Sequence, residues 1–439
     1  MKTVKLLGQD QQDAITHIYE NEATYLIGQM GSGKTVVALT AAAELLKDRE
    51  VTRVLVVAPP RVITDVWKRE HTDWEHLSHL KIGIARGTPE QRLNVLEGDD
   101  QIVVISFDCV PWFFDVGKKH GLDMLVVDEV TKLKAGGVAF KALRKHIKDF
   151  KVRVVMTGTP VAESWQDLFY CMMACDGGKL FGRNKQKFLD AYFYPVDYER
   201  RNWAILPHCI NTVTEMIAGT VVVLPDYTDQ LPALTESVFE IGLDPAARIY
   251  YNDFERDSVN DDATADSAAV QVGKLQQIAS GFIYPDDPDA EPLFIHSEKI
   301  SAAARLGRGE PTIFVYQYRE ELRRLQERFP GGRALGISDR ADAATLALWR
   351  AGALRWLFLH PKSAGHGLDL TSGHKMVIMS PIWSRDLMRQ VIARIWRRNQ
   401  LSPCSVWILC AADTVDGDVV ARERGKSTHM DLLMARLNA

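Results

Sequence analysis

GQMGSGKT, Gly28 to Thr35, follows the apolar run TYLI and leads into VVALTAAAELLKD. Gly28, Gly31 and Gly33 let the backbone curl into a nest whose amides face phosphate oxygens, a shape that a Cβ obstructs. With Ser32 inside that nest, Lys34 reaches the β and γ phosphates and Thr35 offers its hydroxyl to magnesium. A helix opening there aims its positive end at the same anion. The flanks match the motif's needs, a short buried strand before it and an Ala-rich amphipathic helix after it. A glycine-rich turn with an incidental lysine is the alternative, and it accounts for neither flank. The stretch predicts a parallel-sheet α/β fold that binds a nucleoside triphosphate with Mg2+.

The rest of the chain bounds this expectation. Its 439 residues predict two to three domains, and 46% hydrophobic with 25% charged residues is an ordinary globular composition. Cys109, Cys171, Cys175, Cys209, Cys404 and Cys410 lack paired metal-ligand spacing. They are expected as buried thiols in a reducing cytoplasm. No apolar run is long enough to span a bilayer and the first residues carry no apolar signal core, so no membrane role is expected. The net charge of −4 conceals segregation. Lys132 to Arg153 holds eight Lys/Arg against one acid, and Asp244 to Glu291 holds eleven acids against three Lys/Arg. The basic run fits either a polyanion surface or a solvated helix face.

Short β-branched runs recur with helical segments between them, at 24–28, 53–59, 101–106, 123–129 and 152–160. They recur again at 311–318, 354–360, 374–381 and 404–410. Near-continuous apolar strands separated by helices indicate parallel sheets covered on both faces. Two lobes follow, 1–227 and 228–439, with an aromatic helical insertion at 161–210 and an acidic helix and loop link at 244–292. The polar stretch 252–270 is expected to pass from helix to loop with a mobile centre.

Two carboxylates end the run MLVVDE. There Asp128 is suited to holding magnesium, and Glu129 to orienting or deprotonating an attacking water. TGTP, comprising Thr157, Gly158, Thr159 and Pro160, ends the next run and suits a cleft sensor or a plain strand-ending turn. RQVIARIWRRNQ at 389–400 puts Gln390, Arg394, Arg397 and Gln400 on one face if it is helical. Arginine is the permanently charged, bidentate group that a γ-phosphate needs, and a basic surface helix is the alternative.

Taken in order, these segments resemble the Swi/Snf-type ATPases of helicase superfamily two over nearly the whole chain. LLGQDQQDAI resembles the family's adenine-reading element, with Gln11 at its glutamine. VLVVAPPRVITDVWKRE, with Trp67 and Glu70, and VVISFD resemble the next two blocks, and DEVTKLK and MTGTP follow. FIHSEKI at 294–300 is similar to the opening of the second lobe, SAGHGLDLT at 363–371 to the fifth motif, and QVIARIWRRNQ to the sixth. TVDGDVVARERGK at 414–426 resembles the family's short tail. Thr131 stands where the acid box has histidine, Glu163 follows the third motif in place of asparagine, and Asp369 replaces an asparagine of the fifth.

The resemblance implies two RecA-like lobes with a helical insertion between them. Lys34, Asp128, Glu129, Arg394 and Arg397 are then catalytic, and Gly367 and Asp369 join the phosphate loop and Gln11 in binding nucleotide. Arg61, Ser106, Phe107, Lys132, Lys134, Ser363 and Thr371 are implied as nucleic-acid contacts, and Thr157, Gly158, Thr159 and Gln390 as coupling residues. It also implies a minimal, monomeric motor of bacterial or phage type that moves along duplex DNA, with a recruiting protein possible. A strand-separating DNA or RNA helicase, a non-catalytic clamp and a motor subunit of a restriction or defence assembly are the alternatives.

Overall fold

Alternation of side chains across parallel strands organises both halves of the chain. The computed structural model describes residues 2–29, 31–116, 120–160, 164–259, 265–285, 287, 290–336, 339–361, 368–397 and 400–425. It divides into two compact units, one reaching to Tyr227 and the other beginning at Thr228.

Among the described residues, the first unit holds a seven-stranded sheet. Its order is Ile82–Ile84, Ile102–Ser106, Arg53–Ala58, Leu122–Asp128, Val152–Thr157, Ala23–Ile27 and Val221–Val223. Every pairing is parallel. Successive residues feed opposite cores. Leu55, Val57, Val103, Ile105, Leu125 and Val127 join one apolar cluster. Val54, Val56, Ile102, Val104, Met124 and Val126 join the other. Each such side chain contributes roughly 1.5–3 kcal/mol when fully buried, and each strand is held by two covered faces rather than one. Helix Lys34–Lys47 is buried on almost every side from Val36 to Ala43, which explains its run of alanines.

Among the described residues, the second unit repeats the scheme with six parallel strands. Their order is Leu234–Ile241, Cys404–Ala411, Lys375–Ile378, Thr312–Val315, Trp356–Leu359 and Arg333–Ala334. Ile313, Leu357, Met376 and Val406 face one cluster, and Phe314, Phe358, Val377 and Leu409 the other.

Within 161–210, residues 161–163, including Glu163, lie outside the described residues. Helix Asp167–Asp176 is buried from Leu168 onward in the same cluster as the sheet. Helix Lys185–Tyr192 and an antiparallel pair, Phe193–Pro195 with Trp203–Ile205, complete the stretch. Where a helix fading into a loop is expected at 252–270, helix Pro245–Val259 is followed by a second helix, Ala265–Ala279. Residues 260–264 lie outside the described residues. All six cysteines are free thiols, five of them buried, and no helix among the described residues is long and apolar enough to cross a membrane.

Candidate active site

Because the strands of the first sheet are parallel, their carboxyl ends share one edge, where open α/β sheets bind ligands. Register aligns Ile27 with Thr157, Met156 with Asp128, and Ala58 with Ser106. The loop from Gly28, the acids Asp128 and Glu129, the turn Thr157–Gly158–Thr159 and the Ser106–Phe107 step therefore leave the sheet together.

The phosphate loop is shaped by close approaches. Gly33 caps helix Lys34–Lys47 in the left-handed region at φ 88°. A Cβ there would lie 2.2 Å from Gln11 Nε2, and one on Gly28 would lie 2.5 Å from Ser32 Oγ. Gln11 Nε2 donates to the Ser32 carbonyl at 2.8 Å, while its Oε1 accepts from the Gly8 amide at 3.0 Å. Gln11 thus ties helix Gln9–Glu20 to the loop, whatever further part it has with a base. Gly31 is exposed at φ 86°, and Thr35 is half-buried in the first helical turn.

Lys34 Nζ donates to the carbonyls of Gly28 at 2.5 Å and Gln29 at 3.1 Å. Burial lowers its pKa, and the charges of Glu129 and Asp128 oppose that without cancelling it. Ser32 Oγ is buried with no hydrogen-bond partner, an arrangement that costs stability unless a ligand supplies one. Glycines that a Cβ would crowd, an unpartnered hydroxyl and a cation held on carbonyls fit a triphosphate. Among the described residues no group of three or more His, Cys, Asp or Glu could hold a metal. Magnesium suits such a place because it takes few protein ligands and completes its shell with substrate phosphates and water, and Thr35 and Asp128 are the residues that could hold it.

Asp128 is buried, and its Oδ2 accepts the Trp67 indole N–H at 3.0 Å in a contact between two buried side chains. The sequence singled out Trp67 as part of a block and assigned it no role. Glu129 adopts φ 55° and ψ 54°, a left-handed conformation uncommon outside glycine. Thr131 is buried, while Lys132 is exposed on the 3-10 turn Val130–Gly136. The side chains of Lys134 and Arg61 lie outside the described residues. Thr157 is fully buried, and its hydroxyl accepts the Thr159 amide at 3.1 Å. A Cβ on Gly158 would be 3.5 Å from the Gly28 carbonyl, and the Gly28 amide donates to the Thr157 carbonyl at 3.1 Å. The TGTP turn and the phosphate loop are therefore in direct contact. Ser106 Oγ bonds Cys109 Sγ at 3.3 Å, and Phe107 opens a short half-buried 3-10 turn.

A strand outside the runs named above, from the β-branched stretch TVVVL at 220–224, also borders the loop. Val221–Val223 pairs with Ala23–Ile27, and Leu224 packs 3.1 Å from where a Gly28 Cβ would stand. Two residues on, Asp226 Oδ2 accepts from Gln29 Nε2 at 2.5 Å.

In the second unit, Ser363 and Gly367 lie outside the described residues. Asp369 accepts the Thr371 amide at 3.0 Å and the Thr371 hydroxyl at 2.7 Å. Burial pushes its carboxyl pKa up, but these two bonds and the charges of Arg397 and Arg350 bring it below the usual range. The single helix expected over 389–400 does not form. Helix Arg385–Ile392 ends early: the Ala393 amide still closes on the Arg389 carbonyl, but the Arg394 and Ile395 amides tighten to the carbonyls three residues back, those of Val391 and Ile392. The Arg394 carbonyl instead accepts the Leu370 amide at 3.0 Å. Gln390, Arg394, Arg397 and Gln400 consequently do not share one helix face. Gln390 is half-buried on the last turn, Arg394 is 1% exposed, and Arg397 Nη1 donates to the Leu368 carbonyl at 3.2 Å. Gln400 is buried, its amide donating to the carbonyls of Thr371, Gly373 and Ile395 at 2.9–3.2 Å. It is a staple between the fifth and sixth motifs.

A family model described as the SNF2-related domain matches residues 11–282. Putative protein p41 of Acyrthosiphon pisum secondary endosymbiont phage 1 is 29% identical over 96% of each chain. The DNA repair and recombination protein RAD54-like of Drosophila ananassae is 22% identical over 91% of this chain and 58% of its own length. This chain therefore spans less than two thirds of that relative. The Swi2/Snf2 ATPase core of Sulfolobus solfataricus in complex with double-stranded DNA is 17% identical, covers 96% of this chain and 94% of its own, and superposes with a TM-score of 0.46.

Proposed function

Because the chain belongs to the SNF2-related family, nucleic-acid-dependent ATPases of helicase superfamily two, we propose that it translocates along duplex DNA and remodels protein–DNA complexes, branched DNA or annealing intermediates. The observation that carries this reading is the meeting of the phosphate loop, Asp128–Glu129 and the TGTP turn on one sheet edge.

ATP is the substrate, held by the amides of Gly31 to Lys34 and by Lys34 Nζ, which exchanges the Gly28 and Gln29 carbonyls for phosphate oxygens. Thr35 and Asp128 would hold magnesium, which would supply positive charge against the charge developing on the phosphates. Trp67 keeps Asp128 pointed, and Glu129 orients the water and receives its proton as the bond from the γ-phosphorus to the bridging oxygen breaks. Arg394 and Arg397 supply positive charge to the transferred group, a contribution of roughly 10³–10⁵ in turnover for arginines so used. The contact between Gly158 and the loop lets the state of the phosphates bear on the TGTP turn. Arg61, Ser106, Phe107, Lys132, Lys134, Ser363 and Thr371 grip the phosphodiester backbone, so binding weakens steeply with salt. The motor works as a monomer in a reducing cytoplasm, with any recruiting protein acting from outside the two units.

The test is ATP turnover without polymer and with duplex, branched and single-stranded DNA and RNA, beside Lys34→Ala. Stimulation by duplex or branched DNA that vanishes in the variant supports the translocase. Stimulation by RNA or single strands alone moves the activity to a strand-separating helicase, and stimulation that survives Lys34→Ala overturns the site.

A further inference from the structure

Two basic stretches that the ATPase site does not use converge on one hollow of the first unit. Arg144 comes from the Lys132–Arg153 run, on helix Val138–His146. Arg183, Lys185 and Lys187 come from the turn and first residues of helix Lys185–Tyr192. Together they rim an open cavity of about 810 Å³ floored by Phe181 and Phe188, and none of its lining residues is acidic. The run is not merely a solvated face, since one of its cations turns inward for structure. Arg153 is buried, donating to the carbonyls of Cys175 and Phe150.

The two rim arginines are fastened rather than loose. Arg144 donates to the Arg183 carbonyl, and Arg183 Nη2 donates to the Arg144 carbonyl at 2.8 Å. Each guanidinium has five donors, so one bond to a carbonyl leaves most of its fork available. Holding like charges together at one rim is unfavourable until an anion joins them. Lys185 lies 4.9 Å from the Tyr170 ring, a cation–π contact that orients it. The backbone amides of Gln186 and Lys187 are satisfied by Asn184 Oδ1, so the side chains, not the helix end, supply the positive field.

We propose that this hollow is a second phosphodiester subsite, taking the backbone of duplex DNA apart from the motif residues at the strand ends. It rests on the DNA-translocase reading. Fixed arginines, flanking lysines and an apolar floor match alternating phosphates and sugars, whereas a lone free phosphate leaves the floor uncontacted.

The experiment measures duplex binding by the full chain across salt, for the native protein and three double variants. Lys185→Ala/Lys187→Ala touches no backbone bond, Arg144→Ala/Arg183→Ala removes the fastened pair, and Arg144→Lys/Arg183→Lys keeps the charge. Each lost phosphate contact lowers the slope of log affinity against log salt by about 0.9. Each alanine pair should therefore lose up to about two units of slope and about tenfold in affinity at low salt, with DNA-free ATP turnover unchanged and the lysine pair retaining its slope. Native slopes in the Lys185→Ala/Lys187→Ala and Arg144→Ala/Arg183→Ala chains, with the native protein still binding duplex, overturn the subsite and leave the translocase standing. Weakened binding of a fluorescent ATP analogue with unchanged duplex binding assigns the hollow to free nucleotide and also overturns it. A native protein that does not bind duplex brings down both readings.

Discussion

Trp67 governs the acid box through one hydrogen bond, and it is legible only once the chain is folded. Trp67→Phe keeps most of the ring's volume and deletes the donor to Asp128 Oδ2. A bond to a charged group is worth about 1.5–3 kcal/mol, so the variant should need roughly tenfold or more extra Mg2+ for half-maximal turnover. A Mg2+ titration superposable on the native one would leave Trp67 as core packing alone. Lys34 supplies a pH prediction. Its pKa is lowered by burial, whereas a bound triphosphate raises it, so binding takes up a proton at pH values between the two. Nucleotide affinity should be full below the lowered value and fall as pH rises through it. Calorimetry in buffers of differing ionisation enthalpy reads that proton directly, and its persistence in Lys34→Arg would assign it elsewhere. That Lys34, Asp128 and Glu129 leave the sheet at its carboxyl edge was readable from residue type and spacing. The bond that holds Asp128 was not, because nothing in the interval from Trp67 to Asp128 encodes a contact between the helical turn Ile63–Trp67 and the end of strand Leu122–Asp128.

At the scale of elements, apolar central strands announced themselves and edge strands did not. Arg53–Ala58 and Val152–Thr157 are buried along nearly their whole length, so both faces demand apolar residues. Leu234–Ile241, LTESVFEI, sits at the margin of its sheet with mostly exposed or half-buried positions, and its mixed sequence carries no such demand. Ile82–Ile84 and Val221–Val223 are three residues long and lie at the two margins of theirs. The sixth motif shows the opposite error, a helical period prolonged past Ile392. There a tertiary bond from Leu370 claims the Arg394 carbonyl, and Gln400 claims that of Ile395. Gln400→Ala strips three carbonyls of one donor, and buried unsatisfied groups cost about 1–3 kcal/mol. The expected result is lower thermal stability together with a loss of turnover, both restored more by Gln400→Asn than by Gln400→Leu. Native turnover in Gln400→Ala would show that this staple does not position Arg397.

At the scale of the whole molecule, each unit has its own sheet and its own apolar clusters, so heating should give more than one transition. ATP at about 100 times its Kd stabilises what it binds by about 2.7 kcal/mol, and it should raise the transition of the first unit. The second unit carries its own marker. Lys299 Nζ meets Asp416 Oδ2 at 2.6 Å with both side chains buried, beside Ser280, Ser380 and Glu321. Lys299→Ala strands a buried carboxylate at a cost of about 3–5 kcal/mol. Calorimetry should show the other transition fall while the ATP-sensitive one stays, and a single transition moved by both would refute the independence of the cores. Local chemistry was enough to specify the α/β class and to place the glycine loop and the two acids at strand ends, because glycine spacing, apolar runs and carboxylates at strand ends act over a few residues. Folding had to supply the rest: the Trp67–Asp128 bond, the brace of Gln11, the early end of the sixth-motif helix and the convergence of Arg144 with Arg183. Those depend on which chain-distant carbonyl or carboxylate meets each donor, and strand order and register decide that rather than spacing along the chain.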